Sequence, residues 1–164
     1  MKPTDMVLSP KGLRFCGHLF PCVIGRGGLV ADKQEGDGGT PIGVHRIVGM
    51  LFRPDRISQP APWAIPIRPG ELWCDDPHHE DYNQLVKAPF KGRHETLRRA
   101  DPLYDLVLLT DWNWPKANPG RGSAIFMHRW RRPGFPTEGC VGLRPDHLMW
   151  LARCITPETR LIVP

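Results

Sequence analysis

The sequence lacks a long apolar run, a regular cysteine framework and any internal repeat or low-complexity tract. Because no segment is apolar over a membrane-spanning length, no transmembrane helix is expected. An odd number of irregularly spaced cysteines argues against a disulfide framework and indicates at least one free thiol; they are Cys16, Cys22, Cys74, Cys140 and Cys154. The ligand spacing of a zinc site is also missing, so we expect neither a metal nor another cofactor.

Residues 1–10 also lack an apolar stretch of signal-peptide length. If Met1 is the natural start, this predicts a cytoplasmic protein whose thiols stay reduced. If a leader has been removed, the periplasm or cell envelope is the expected location.

Glycine and proline are abundant, with 17 and 19 of the 164 residues. Glycine and proline at this frequency are typical of many short strands and tight turns, and the length fits one compact domain over residues 1–164. Lys and Arg outnumber Asp and Glu by 22 to 17, a mild excess that suits acidic ligands without indicating nucleic acid. We predict a mainly β, single-domain protein.

Two apolar runs, at 106–109 and 124–127, have the length of buried strands, and the second ends at His128. One helix is predicted after Cys140. Pro145 and Asp146 suit its first turn, and its apolar face would comprise Leu148, Leu151, Ala152 and Ile155. Together these elements predict a β-sandwich or barrel-like fold with one C-terminal helix packed on it.

The candidate catalytic segment of the sequence places a histidine at a strand end and a cysteine just before that helix. A thiol is a nucleophile only as the thiolate, and an imidazole nearby can take its proton. Gly139 lets the backbone approach closely, and the amides around Cys140 can then face a developing oxyanion. We predict that Cys140 is made anionic by His128, with the imidazole within hydrogen-bond reach of the sulfur or one water molecule away.

Each residue taken alone also has an ordinary explanation. A lone cysteine is usually a small buried hydrophobe, and a lone histidine is usually a polar group with its hydrogen bonds satisfied. The pairing favours catalysis, and the surrounding motifs favour it further.

These motifs resemble the L,D-transpeptidase catalytic domain, also called the YkuD domain. Its pattern is a histidine at a strand end followed, after a variable loop, by Ser/Thr-His-Gly-Cys, which His128, Thr137, Gly139 and Cys140 match. Upstream, residues 33–43 (KQEGDGGTPIG) look like the family's Gly-Asp-x-x-Thr-Pro-x-Gly segment. Two separate motifs in the family's order make the resemblance specific.

The resemblance implies a β-rich enzyme acting on peptidoglycan stem peptides or muropeptides. Members cleave the bond between the L-centre of diaminopimelate and the terminal D-alanine of a tetrapeptide stem. The acyl group rests on the cysteine as a thioester and then passes to an amine or to water. The resemblance implies that Cys140 is the nucleophile and His128 the general base, with Thr137 and Gly139 positioning the thiolate and the oxyanion donors.

Two positions depart from the family pattern. Glu138 replaces the histidine before Gly-Cys, and Gly142 replaces an Arg or Asn. A carboxylate beside the nucleophile opposes thiolate formation unless it points away or pairs with a cation. Glu138 can instead bind the ammonium group of diaminopimelate. Because the family's Arg or Asn is absent at Gly142, the resemblance does not predict which molecule accepts the acyl group.

Arginines surround Trp130 in the loop between base and nucleophile: Arg129, Arg131 and Arg132. We interpret them as a cationic rim for stem-peptide carboxylates, with Arg129 and Trp130 as substrate-binding candidates. A solvated loop is the alternative, and nucleic-acid contact is disfavoured because the basic cluster is short. Asn113, after a buried strand, is a further substrate candidate, although a capped strand end fits equally.

We rank a transpeptidase-type transferase first, with a role in peptidoglycan biosynthesis, cell wall organisation and cell shape. A cytoplasmic L,D-carboxypeptidase that trims recycled stems is the first alternative. A non-catalytic peptidoglycan-binding module is the second, and the presence of both His128 and Cys140 argues against it. The expected chain is a monomer that binds no nucleic acid.

Overall fold

The computed structural model describes residues 2–164, in which short strands supply most of the regular structure. The strands are β1 (Met6–Ser9), β2 (Gly12–Phe15), β3 (His18–Phe20), β4 (Cys22–Val23), β5 (Leu29–Val30), β6 (Thr40–Pro41), β7 (Gly43–Phe52), β8 (Ile65–Pro66), β9 (Glu71–Cys74), β10 (Leu85–Lys87), β11 (His94–Thr96), β12 (Leu106–Thr110), β13 (Phe126–Arg129), β14 (Val141–Leu143) and β15 (Arg160–Val163). A 3-10 turn spans Pro102–Tyr104, and helix α1 spans Pro145–Cys154.

The main sheet runs in the order β3-β2-β1-β15-β7-β12-β13-β14-β4, with β8 beside β7. Its two end strands, β3 and β4, are consecutive in the chain and are separated only by Pro21. The sheet therefore curls until its ends almost meet, which gives a nearly closed barrel-like form. The predicted mainly β fold with one C-terminal helix is confirmed.

Helix α1 packs on the barrel through the apolar face that the sequence predicts. Leu148, Leu151 and Ala152 are buried, and Ile155 follows at the C-cap. Pro145 opens the helix, where its missing amide hydrogen costs nothing. Among residues 2–164, no helix has the length and apolar character needed to cross a bilayer.

The central strands β12 and β13 are buried on both faces, which explains their continuous apolar sequences. Leu108 and Met127 belong to the main core, whereas Val107 and Phe126 belong to a second apolar cluster on the opposite face. A small three-stranded sheet, in the order β10-β9-β11, contributes to that second face. Its Trp73 ring packs edge-on against Phe126, with the ring centroids 5.1 Å apart.

Candidate active site

Two neighbouring parallel strands bring Cys140 and His128 to the same face of the sheet. In the β13–β14 register, Met127 lies opposite Val141, and both side chains enter the main core. Because side chains alternate along a strand, His128 lies on the other face, two residues beyond Phe126. The Phe126 amide contacts the Cys140 sulfur at 3.4 Å. The two candidate catalytic groups are therefore offset by a two-residue step, about 6.6 Å along the strand direction.

Both side chains line a cavity of about 670 Å³. Cys140 is only 9% exposed and His128 only 4%, so each group forms part of the cavity wall. Thr137 and Glu138 also line this cavity. Charged side chains from other parts of the chain complete the lining: Lys33, Glu35, Asp75, Arg93, Glu95, Arg99 and Arg131. Cys140 therefore borders an open cavity although its side chain is largely buried.

The Cys140 thiol is protonated in the resting structure. Its sulfur donates a hydrogen bond to the Ala124 carbonyl oxygen at 3.0 Å. Burial raises the pKa of the Cys140 thiol to about 12, and the negative charge of Glu95 adds to the rise. The sequence leads us to expect a thiolate at Cys140, whereas the structure favours a neutral thiol because the apolar surroundings disfavour the anion.

The His128 ring is held in the tautomer that a general base requires. Its Nδ1 lies 2.7 Å from the Arg129 carbonyl oxygen, which can only accept a hydrogen bond. Nδ1 must then carry the proton, which leaves the lone pair on Nε2. Burial is the main cause that lowers the pKa of His128 to about 4, and the cationic Arg99 and Arg131 contribute to the lowering. The imidazole is thus a neutral base at physiological pH.

Cys140 and His128 do not share a direct hydrogen bond within the described chain, since the thiol bonds to Ala124 and the ring to Arg129. Of the two arrangements that the sequence predicts, the direct contact is therefore not made, since the two residues are offset in register. A bridge through one water molecule stays a prediction.

The loop before Cys140 is fixed by hydrogen bonds of Thr137. Its hydroxyl donates to the Cys140 carbonyl at 2.5 Å and accepts from the Gly139 amide at 3.2 Å. The Thr137 amide donates to the Ile24 carbonyl at 2.9 Å, and its carbonyl accepts from the Arg26 amide at 2.8 Å. These hydrogen bonds hold Thr137 and Gly139 beside Cys140, in the segment 137–140 that forms the candidate nucleophile loop.

Close backbone approach explains the glycine before Cys140. Gly139 has φ +136°, and a Cβ there would lie 2.8 Å from the Gly39 carbonyl oxygen. A Cβ on Gly25 would lie 2.1 Å from the Gly38 carbonyl oxygen and 2.8 Å from the Gly139 Cα. Only glycine fits where these segments meet.

The first departure from the family pattern, Glu138, is exposed to solvent and paired with a cation. Its side chain is 73% exposed, and its carboxylate lies 3.0 Å from the guanidinium of Arg26. Solvent and the Arg26 cation therefore both weaken the opposition of the Glu138 carboxylate to thiolate formation at Cys140.

The second departure, Gly142, is explained by packing. A Cβ at this buried position would lie 2.7 Å from Val23 Cγ2 and 3.3 Å from Trp130 Cβ. There is no room for the Arg or Asn that the family usually carries.

Three substrate-binding candidates do not line the cavity: Arg129, Trp130 and Asn113. Trp130 is buried, and its amide donates to the Leu143 carbonyl at 2.9 Å. The Asn113 side chain closes its own loop by donating to the carbonyls of Asn118 and Gly122. Their substrate contacts stay predictions. Arg131, from the same basic cluster, does line the cavity.

Glu95 and Tyr104 were not anticipated from the sequence. The Tyr104 hydroxyl donates to the Glu95 carboxylate, and the Tyr104 ring packs edge-on against His128 with centroids 5.3 Å apart. Neither residue lies in a recognised motif, so no local signal identifies them. The acidic loop at 75–81 contributes Asp75 to the cavity. No group of three or more metal-ligating side chains occurs in the part of the chain that the structure describes.

Comparison with known proteins confirms the resemblance that the motifs indicate. The family model for the L,D-transpeptidase catalytic domain (YkuD) matches residues 17–163. A search of solved structures found an L,D-transpeptidase from Mycobacterium smegmatis, 12% identical, with a TM-score of 0.44. That match covers 98% of this chain and 57% of the other, so this chain spans little more than half of that protein. A search of curated proteins gave no significant match.

Proposed function

We propose that this chain, which belongs to the L,D-transpeptidase catalytic domain family, is a cysteine acyltransferase acting on peptidoglycan tetrapeptide stems. It cleaves the bond between the L-centre of diaminopimelate and the terminal D-alanine and passes the acyl group to an amine. The observation that carries the proposal is the shared cavity wall formed by Cys140 and His128, with Nε2 of the imidazole unprotonated.

Acylation starts from a neutral thiol and a neutral imidazole. The sulfur leaves its hydrogen bond to Ala124 and attacks the diaminopimelate carbonyl carbon while its proton passes to His128 Nε2, directly or through one water molecule. Transfer during attack avoids a buried thiolate, which the pKa of about 12 disfavours. When the tetrahedral intermediate collapses, the carbon–nitrogen bond breaks and the proton moves from Nε2 to the leaving amine of D-alanine. The product is an acyl-Cys140 thioester.

The nucleophile loop supplies the oxyanion site in this proposal. The Gly139 amide already donates to Thr137 Oγ1 at 3.2 Å, which leaves the Cys140 amide as the main backbone donor for the developing charge. Thr137 donates to the Cys140 carbonyl and Thr40 to the Gly139 carbonyl, so the peptide groups on either side of Cys140 are fixed before substrate arrives.

Deacylation reverses the proton path. An acceptor amine attacks the thioester carbonyl and gives its proton to Nε2. The carbon–sulfur bond then breaks and the sulfur takes the proton back. Water in place of the amine gives an L,D-carboxypeptidase, which is the hydrolytic alternative within the same active site.

The test incubates the protein with a disaccharide tetrapeptide, with and without an added D-amino acid, and follows the products by mass spectrometry. Exchange of the terminal D-alanine for the added residue is expected. Release of D-alanine without exchange would replace the transferase by a carboxypeptidase. Cys140→Ala should abolish both reactions, whereas Cys154→Ala, which changes an exposed thiol, should leave them unchanged.

No turnover by the wild-type protein, together with equal stem binding by wild type and Cys140→Ala, would contradict the enzyme and support a peptidoglycan-binding module.

A further inference from the structure

Most charged side chains of the cavity are neutralised by a neighbour. The Arg93 guanidinium lies 3.1 Å from the Asp75 carboxylate and 3.5 Å from that of Glu35. Arg99 forms a paired hydrogen bond with both carboxylate oxygens of Asp101, each at 2.7 Å. These cations are therefore already committed to other carboxylates.

Glu95 differs, because its carboxylate has no cationic partner. Within residues 2–164, no Lys, Arg or His nitrogen forms an ion pair with it, and its one hydrogen bond comes from the Tyr104 hydroxyl to Oε2. Oε1 receives no hydrogen bond from the described protein atoms. Burial raises the pKa of Glu95; the hydrogen bond from Tyr104 and the charge of Arg99 oppose the rise, and the nearby negative charges of Asp75 and Glu35 add to it. A partly buried carboxylate without an ion pair would be stabilised by a cationic partner.

Glu95 also lies close to the reacting groups. It lines the same cavity as Cys140, and its charge contributes to the raised pKa of that thiol. Its partner Tyr104 contacts the His128 ring. Left uncompensated, an anion here opposes development of negative charge on the sulfur. A cation brought by the substrate would remove that opposition.

We propose that Glu95 is the ammonium-binding residue of the cavity and selects acyl-donor stems that carry a free side-chain amine. The inference rests on the proposed function for the identity of the stem. Glu138 is a poorer candidate for this role, since it is 73% exposed and already paired with Arg26. Binding of the ammonium group at Glu95 also offsets the carboxylate's charge where Cys140 must become nucleophilic.

The experiment measures binding, so that it does not depend on turnover. Two tetrapeptide stems are compared by calorimetry on the Cys140→Ala protein, one with a free diaminopimelate amine and one with that amine acetylated. We expect the free amine to bind at least about tenfold more tightly, the scale of one charged hydrogen bond. Glu95→Gln keeps the acceptor for Tyr104 and should reduce the ratio to about one, whereas the matched Glu138→Gln variant should retain it.

A preserved ratio in Glu95→Gln, no preference in the parent protein, or no binding of the amine stem would each overturn the assignment. A second readout tests the charge itself: with Cys140 present, a Glu95→Gln protein that keeps the thermal unfolding midpoint of wild type should alkylate at Cys140 faster than wild type because a negative charge has gone. Unchanged alkylation would also contradict the inference. Amine-selective binding without any cleavage by the wild type would instead reject the proposed function and leave Glu95's role standing.

Discussion

The Thr40 hydroxyl donates a hydrogen bond of 2.8 Å to the carbonyl oxygen of Gly139, which lies 99 residues further along the chain. The same hydroxyl accepts the Gly25 amide at 2.9 Å. One buried side chain therefore links the Gly-Asp-x-x-Thr-Pro-x-Gly segment to the candidate nucleophile loop at Cys140. The upstream motif has a direct mechanical role in the site, although it contributes no reacting atom.

Replacing Thr40 by Val should loosen the nucleophile loop, because the shape is kept while two buried backbone groups lose their partner. We expect a loss of about 1–3 kcal/mol in unfolding free energy and a fall in kcat larger than any change in KM. Denaturant unfolding and steady-state kinetics measure the two effects. Thr40→Ser, which keeps the hydroxyl, should recover most of both, and a Val variant equal to wild type would refute this role.

The lowered pKa of His128 predicts a pH dependence of stability. The folded ring, with a pKa of about 4, stays neutral between pH 4 and the unfolded pKa of about 6.5, while the unfolded chain takes up a proton there. Stability should be full above pH 6.5 and fall as the pH drops toward 4. His45, whose pKa burial also lowers, contributes in the same direction.

Thermal unfolding of wild type and His128→Gln across pH 4–7 tests this dependence. The variant should lose part of the slope and keep the part that His45 supplies. Identical slopes for the two proteins would show that His128 titrates normally in the folded state.

The basic loop predicts unequal roles for its arginines. Arg131 lines the cavity and Arg129 does not, so Arg131→Ala should raise KM for the stem by roughly two- to fivefold, the scale of an exposed ion pair. The matched Arg129→Ala variant should change KM little. A larger effect from Arg129 would favour the substrate contact that the sequence suggests for that residue.

Introducing the family's Asn at position 142 should lower the stability of this protein. Gly142→Asn places a Cβ only 2.7 Å from Val23 Cγ2, and we expect destabilisation of about 1–3 kcal/mol from this overpacking. Denaturant unfolding measures the loss. Val23→Ala in the same background should recover part of it, and a stable Gly142→Asn protein with full activity would show that the contact yields easily.

The sequence predicts much of the fold because its signals are local. The buried strands around residues 106–110 and 126–129 are apolar throughout, and helix α1 follows from Pro145 and its apolar spacing. Pro21 separates β3 from β4 at the point where the two ends of the main sheet approach each other. The sequence alone does not predict that β3 and β4 lie at opposite ends of the strand order, because that order depends on contacts between distant parts of the chain.

The site is only partly predictable for a related reason. Cys140, His128 and Thr137 come from one contiguous motif, and the structure brings them to one cavity. Glu95 and Tyr104 reach the same place through separate tertiary contacts that no spacing encodes. The protonated state of Cys140 likewise follows from burial and from the Ala124 carbonyl, both of which are properties of the folded chain.

Intact-protein mass spectrometry of an acid-quenched mixture with a tetrapeptide stem tests the central claim most directly. The wild type should gain the mass of the stem without its D-alanine, mapped to Cys140, and His128→Ala should gain it far more slowly. Consumption of the stem with no adduct, or an adduct on Cys16, Cys22, Cys74 or Cys154, would contradict acyl transfer through Cys140.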